Sequence, residues 1–388
     1  MFCEDTSVVD IPRTLLVTND FPPRVGGIQR TLEALAGQLP PDRLSVLAPR
    51  WPGWEAFDAR RAYRVMREPT AFSWPTPAFA KRVDRAIEDS GADVVLFGDA
   101  MPLAAIGPRL AARGTPYVVL GHGFDYWLSL MPGAHAAMRA ATSRASSVLV
   151  CSRFIARVVR TAVRPAVPVA ALTPGADPDR FRPDLPSDDI RLSAGIGERP
   201  LVVCVSRLVA RKGQDVLIRA IPAIRRRVPD AALLIVGAGP YEARLRRLAA
   251  AAPVGAVSFT GEVSDDDLPR YYAVGDVFAM PCRSRLGGLE VEGWGNVFLE
   301  AAAAGRPVVA GDSGGAREAL VPGETGLLVD GRSVNMVASA VSDLLADREL
   351  ASLMGKLGRD RVEREHTWAQ VAGRLAAWLR KAARGSAT

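Results

Sequence analysis

The sequence has little of what would staple a small fold or hold a metal ion. Cys3, Cys151, Cys204 and Cys282 are its four cysteines. None lies close to another, which argues against a disulfide framework and a zinc knuckle. His122, His135 and His366 are equally scattered. The expectation is a reduced, cytosolic protein with no metal or other cofactor. Long hydrophobic runs are missing too: none approaches the roughly 20 residues that span a bilayer. Residues 1–13 carry Glu4, Asp5 and Asp10 without an apolar core, and read as a polar lead-in rather than a secretory signal. Acidic residues are in the minority, 42 against 49 Lys and Arg, giving a formal net charge of +7. This modest excess suits an anionic ligand or a membrane surface. No recognition-helix, zinc-finger or RNA-binding signature is present, so nucleic acid is not an expected partner.

What is present is a regular alternation. Hydrophobic residues make up 48% and charged residues 23% of 388 positions, the profile of a soluble globular chain long enough for two domains. Apolar runs at 13–18, 44–48, 93–97, 117–120, 147–151 and 167–172 read as buried strands. Helical patterns at 28–39, 77–89, 102–113 and 155–163 lie between them. Strands alternating with helices predict an α/β domain with a doubly wound parallel sheet. A proline-rich stretch at 173–187 cannot hold a helix or central strand. The rhythm then restarts with strands at 201–205, 232–236, 257–260, 277–280 and 307–310. The tail from 334 reads as helical. The expected plan is a lead-in to residue 13, a first Rossmann-like domain over 14–173 and a linker at 174–190. A second Rossmann-like domain over 191–365 and a segment at 366–388 complete it. In such sheets ligands bind outside the carboxyl ends of the strands, so the active site is expected in the cleft between the domains.

Several strand ends carry chemistry. Thr18-Asn19-Asp20-Phe21-Pro22-Pro23-Arg24-Val25-Gly26-Gly27-Ile28 ends a strand and opens a helix. Paired glycines there let backbone N–H groups approach an anion, or simply permit positive φ. Ser206-Arg207-Leu208-Val209-Ala210-Arg211-Lys212-Gly213 follows the first strand of the second domain, and its Arg fork and Lys point charge suit a diphosphate. Glu292 and Glu300 bracket Gly293-Trp294-Gly295-Asn296-Val297-Phe298-Leu299, a glycine loop running into a helix. Gly121-His122-Gly123-Phe124-Asp125 places a sterically free His at a strand end. Gly237-Ala238-Gly239-Pro240-Tyr241 lacks the third glycine of a dinucleotide fingerprint, which argues against NAD.

Taken together these motifs resemble the retaining GT-B glycosyltransferases, the large family that includes sucrose synthase and bacterial mannosyltransferases. Residues 18–29, 205–213, 237–241 and 280–301 resemble most the branch that works in phosphatidylinositol mannoside synthesis, at its second mannosyl transfer. The resemblance implies a GT-B fold, two Rossmann-like domains with the site in the cleft between them. It also implies a sugar-nucleotide donor, GDP-mannose, used without a metal ion. By position, Gly26 and Gly27 would sit by the donor phosphates and Arg207 and Lys212 would hold the diphosphate. Glu292 would bind sugar hydroxyls, Glu300 the ribose, and Val263 the base through its backbone. Gly293, Asn296 and Val297 would belong to the donor site, and His122 would be the active-site histidine. The family often has an acid two positions after that His; here Phe124 stands there and Asp125 is one further on. His366-Thr367-Trp368 resembles the point where the C-terminal helices return to the first domain.

Residues 50–85 interleave aromatic and basic side chains, with Trp51, Trp54, Arg60, Arg61, Arg64 and Arg67 prominent. They suit an anionic phospholipid surface, or a solvated loop with some rings tucked in. The expected function is mannosyl transfer from GDP-mannose to a phosphatidylinositol mannoside by a peripheral protein on the inner membrane face. Two other readings stand beside it: a retaining transferase using another sugar nucleotide, such as a UDP-sugar, on a soluble acceptor, and a sugar-nucleotide-binding protein without turnover.

Overall fold

The computed structural model describes residues 10–385; Cys3 and most of the polar lead-in lie outside them. Two compact units emerge, residues 10–174 together with 368–385, and residues 175–367.

The first unit holds a sheet of seven strands, β1 (Thr14–Val17), β2 (Leu44–Pro49), β3 (Arg64–Glu68), β4 (Val94–Phe97), β5 (Tyr117–Gly121), β6 (Ser147–Val150) and β7 (Val169–Ala171). Their order is β3-β2-β1-β4-β5-β6-β7, and every pairing is parallel. Central strands such as T-L-L-V and V-V-L-F are buried along their whole length, as a sheet covered on both faces requires. The helix Trp368–Arg384 lays Val371, Ala372, Leu375, Ala376 and Leu379 into this unit's core, a spacing of three and four that puts all five on one face.

The second unit repeats the plan with β8 (Leu201–Val205), β9 (Ala232–Val236), β10 (Val257–Gly261), β11 (Val277–Met280), β12 (Val308–Gly311) and β13 (Gly326–Val329). Its order is β10-β9-β8-β11-β12-β13, again all parallel. Two strands that the sequence pattern does not reveal, β3 and β13, are both edge strands. An edge is paired on one side only, so R-V-M-R-E can be strand without being apolar. The helices Phe124–Leu130 and Pro132–Ala141 were also not apparent from periodicity.

Candidate active site

In doubly wound sheets the ligand crevice opens where the strand order reverses. Here that is between β1 and β4 in the first unit and between β8 and β11 in the second. Gly26 and Gly27 follow β1, Arg207 and Lys212 follow β8, and Glu292 follows β11, whereas His122 follows β5 and Val263 the edge strand β10.

In the second unit, β8 ends at Val205 and, past Ser206, the chain exposes Arg207, whose guanidinium has no partner among the described residues. Its loop is fixed from behind. Leu208 N donates to the Ala238 carbonyl at 2.9 Å, and Tyr241 N donates to the Leu208 carbonyl at 3.0 Å. Gly237-Ala238-Gly239-Pro240-Tyr241 is therefore a brace for the Arg207 loop, and a Cβ on Gly239 would stand 2.4 Å from the Leu208 oxygen. The loop closes at Gly213, whose φ of +80° is left-handed, a conformation glycine adopts without strain. Gln214, fully buried at the start of the helix Gln214–Arg227, donates to Ser206 Oγ at 2.8 Å and to the Arg207 carbonyl at 3.1 Å. One amide thus ties the helix to the loop on either side.

Lys212 is buried, and its Nζ lies 2.6 Å from Glu292 Oε2, with Arg211 Nη1 at 4.0 Å from the same oxygen. Burial alone would raise the Glu292 pKa. The Lys212 ammonium and then the Arg211 guanidinium outweigh it, and the carboxyl is held below its usual range. The Glu292 backbone is pinned by Ser313 and Gly315: its N–H donates to Ser313 Oγ at 3.2 Å and its carbonyl accepts from Gly315 N at 2.9 Å. Sequence reading missed this support, although Ser313-Gly314-Gly315 directly after a buried strand is a signal of the same kind as Gly26-Gly27. Glu300, on the helix Asn296–Ala303, accepts from the Tyr272 hydroxyl at 2.5 Å. Gly293 and Val297 line the same half-buried segment. Val263 follows β10, and no hydrogen bond among the described residues uses its backbone N–H or carbonyl.

In the first unit, Gly26 is extended, with φ 170°, so positive φ does not explain it. Close approach does: a Cβ there would stand 2.2 Å from Gln29 Oε1. Gln29 Nε2 donates to Asp20 Oδ1 at 2.5 Å, and Arg24 Nη1 reaches the same oxygen at 3.1 Å. Gly27 opens the helix Gly27–Gly37 into free space. His122 follows β5. Burial pushes its pKa down to about 4, and the Gly98 backbone is a hydrogen-bond partner of the ring. Nε2 is buried without a partner. Asp125 does not stand in for the family's acid. Its Oδ2 accepts from the His122 backbone N–H at 2.8 Å, latching the loop from below.

Asp99, which sequence reading passed over, lies two residues past β4. Its Oδ2 accepts from Thr18 Oγ1 at 3.1 Å and Asn19 N at 3.4 Å. Burial, then the charges of Asp20 and Asp125, push its pKa up to about 7. Among the described residues no group of three or more His, Cys, Asp and Glu is placed to hold a metal ion.

The 50–85 stretch divides. Phe57 and Phe79 are core residues. Arg67 is no surface charge: its side chain is 2% exposed, pairs with Asp58 at 2.6 Å, and donates to the Pro49 and Pro22 carbonyls at 2.9 and 2.8 Å. Arg61 pairs with Glu33 at 3.0 Å. Arg60 and Arg64 stay exposed, each donating to a backbone carbonyl. Trp51 and Trp54 are half-buried beneath Arg24 and Arg50. Among the described residues no helix is long and apolar enough to cross a membrane.

Two doubly wound parallel sheets, each with its polar loops at the strand-order reversal, define a two-domain Rossmann-like enzyme. Residues 25–180 match the model of Glycosyltransferase Family 4, and residues 187–361 that of Glycosyl transferases group 1. The chain belongs to this glycosyltransferase family. It is 48% identical over 95% of its length to the GDP-mannose-dependent alpha-(1-6)-phosphatidylinositol monomannoside mannosyltransferase of Mycobacterium tuberculosis, 98% of which is covered. It is 39% identical over 94% of its length to the corresponding enzyme of Corynebacterium glutamicum, named for a monoacylated acceptor, of which 96% is covered. Among solved structures, Anabaena HepE in complex with UDP and glucose superposes with a TM-score of 0.77 at 21% identity, covering 94% of this chain and 98% of that one. The fold is thus GT-B.

Proposed function

We propose that the protein transfers mannose from GDP-mannose to a phosphatidylinositol monomannoside, with retention, as a peripheral protein at the cytoplasmic face of the membrane. Donor and acceptor follow the names of the relatives with which it shares nearly its whole length. The observation that carries the chemistry is the pairing of an unpartnered, exposed Arg207 with a buried Lys212–Glu292 ion pair at the β8 loop. Breaking a glycosyl–phosphate bond builds negative charge on the departing diphosphate. Arg207 and Lys212 would stabilise that charge, the role a metal ion takes elsewhere. Glu292 would take sugar hydroxyls, Glu300 the ribose, Val263 the base through its free backbone groups, and Gly26 and Gly27 would pass close to the phosphates. Gly293, Asn296 and Val297 would line the donor.

His122 would meet the acceptor side as a neutral imidazole, since burial holds its pKa near 4. A covalent glycosyl-enzyme requires a carboxylate beneath the anomeric carbon. Glu292 is assigned to the sugar hydroxyls, so we favour a front-face reaction in which the leaving phosphate takes the acceptor proton. A transfer assay pairing GDP-mannose, GDP-glucose, UDP-glucose and UDP-galactose with phosphatidylinositol monomannoside, with and without excess EDTA, tests the whole reading. Selective, chelator-resistant mannose transfer is expected. Preference for a UDP-sugar, or loss of activity restored by Mg²⁺ or Mn²⁺, would overturn the donor or the metal-free mechanism respectively.

A further inference from the structure

Among the described residues, the large aromatic side chains that stand exposed are Phe72, Trp74, Phe124 and Trp127, and all four belong to the first unit. They form two pairs. Phe72 and Trp74 meet edge-on with ring centroids 5.0 Å apart; Phe124 and Trp127 stack at 5.7 Å. Both pairs are anchored at the carboxyl end of the sheet. Asn19, just past β1, exchanges two hydrogen bonds with Ser73, at 3.0 and 2.8 Å, and so fixes the segment between the first two rings. The helix Phe124–Leu130 follows β5 through the His122 loop that Asp125 latches. Only β4 separates β1 from β5 in the sheet.

That helix is apolar on two faces. Tyr126 and Leu128 are buried with Asp125 and Ser129. Phe124, Trp127 and Leu130 are exposed at a spacing of three, one stripe along its outer side, and Met131, just past its end, is exposed too. Val25, in the loop after β1, is 73% exposed as well. Exposed rings and aliphatics gathered at one end of a sheet mark an interaction surface.

Charge identifies the occupant. The first unit carries 24 Lys and Arg against 13 Asp and Glu over its described residues, whereas residues 175–367 carry 25 against 27. The basic excess of the whole chain therefore lies in the unit that bears the rings. Aromatic side chains seat at the headgroup level of a bilayer, and a basic field draws the protein to anionic lipid. We infer that Phe72, Trp74, Phe124 and Trp127, with Leu130 and Met131, form a lip that inserts into the interface of an anionic bilayer and sets the acceptor side of the first unit at headgroup depth. The inference rests on the lipid-acceptor reading above. It moves the insertion point away from Trp51 and Trp54, which are covered by their own arginines.

The test compares the full-length protein with Phe124→Ser/Trp127→Ser, Trp74→Ser and Trp51→Phe. Co-sedimentation uses vesicles of phosphatidylcholine alone or mixed with phosphatidylglycerol. Turnover is measured with the lipid acceptor in vesicles and with its water-soluble deacylated headgroup. The wild type should bind only the anionic vesicles. Loss of each lip ring should weaken that binding about tenfold, the value of withdrawing one large apolar side chain from the interface. Lipid-acceptor turnover should fall in parallel, headgroup turnover should hold, and Trp51→Phe should change neither. The rings are exposed, so unchanged thermal midpoints are expected and separate docking from folding. Equal vesicle binding by lip variants and wild type overturns the inference, as does equal wild-type binding to both vesicle types. Loss of headgroup turnover would also overturn it, placing the rings in the acceptor site itself. So would a wild-type dimer in sedimentation velocity that the lip variants dissolve, making a second copy the occupant. A protein that binds anionic vesicles through the lip but does not mannosylate the lipid would sink the acceptor and leave the surface standing.

Discussion

Lys212 and Arg207 have the same proposed task, yet their removal should have unequal consequences for the fold. Lys212→Met keeps the stem and deletes the charge. Glu292 is then left buried with only Arg211, 4.0 Å away, in place of an ammonium at 2.6 Å. Removing one member of a buried ion pair costs about 3–5 kcal/mol, because the other charge stays out of water. For a unit of this size that lowers the melting midpoint by roughly 6–20 °C. Arg207→Met removes an exposed side chain with no protein partner, so its effect should stay within about 0.5 kcal/mol. Both should lose about 10²–10³ in turnover if both charges face the leaving diphosphate. The pH dependence supplies a sign. In the wild type the Glu292 pKa is depressed, so the pair stabilises above the usual carboxylate range, and that contribution fades as pH falls through the folded value. In Lys212→Met burial dominates and Glu292 takes up a proton more readily, so the gap between the two proteins should narrow from pH 7 towards pH 4. Thermal unfolding by calorimetry at several pH values measures it. A Lys212→Met protein that melts with the wild type, or a gap that widens in acid, would refute the argument.

Other consequences follow from single contacts. The His122 imidazole should remain neutral down to about pH 5, with its pKa near 4; a ring titration in ¹H–¹⁵N spectra with a midpoint above 6 would show that the burial argument is wrong. Arg67→Met should destabilise the protein by about 3–5 kcal/mol through the orphaned Asp58 and the lost ties to Pro49 and Pro22; denaturation indistinguishable from wild type would return Arg67 to the surface.

Sequence periodicity was sufficient where the physics is local. Buried parallel strands must be apolar along their length, so β1, β4, β5, β8, β9 and β11 stand out. The edge strand β3, R-V-M-R-E, does not, although the edge strands β7 and β10 do. The same division holds at the site. Arg207 and Lys212 were singled out by their strand-end loop, whereas Glu292 and His122 took their proposed roles from the family resemblance. What the pattern could not convey is which side chains meet. That Lys212 pairs with Glu292 while the Arg207 side chain has no partner, that Asp125 turns back to its own loop, and that Gln214 holds the Arg207 carbonyl are fixed only by the folded contacts. The aromatic stretch divides in the same way. Composition marked 50–85 as a whole, but burial takes Phe57 and Phe79 into the core and leaves Phe72 and Trp74 exposed, and two further exposed rings, Phe124 and Trp127, lie outside it.

The unequal state of the two cations has a consequence for donor binding. On the proposed assignment Arg207 can meet a diphosphate at once, whereas Lys212 must first leave Glu292. Each step has a cost in the free protein and a return only when ligand is present. In the proposed mechanism the sugar completes the exchange, because its hydroxyls replace the ammonium as donors to the Glu292 carboxylate. GDP alone brings no sugar, so it claims Lys212 while leaving Glu292 buried and poorly satisfied. Glu292→Gln removes that penalty, since a neutral amide needs no counter-ion. The variant should therefore bind GDP more tightly than wild type, by roughly tenfold, the lower end of what a hydrogen bond to a charged group contributes. It should transfer mannose more slowly, having lost the charged acceptor over the sugar. Titration calorimetry with GDP and a transfer assay on the same preparation read the two effects together. Weaker GDP binding in Glu292→Gln would mean that Glu292 helps to hold the nucleotide, and the competition between carboxylate and diphosphate for Lys212 would have to be abandoned.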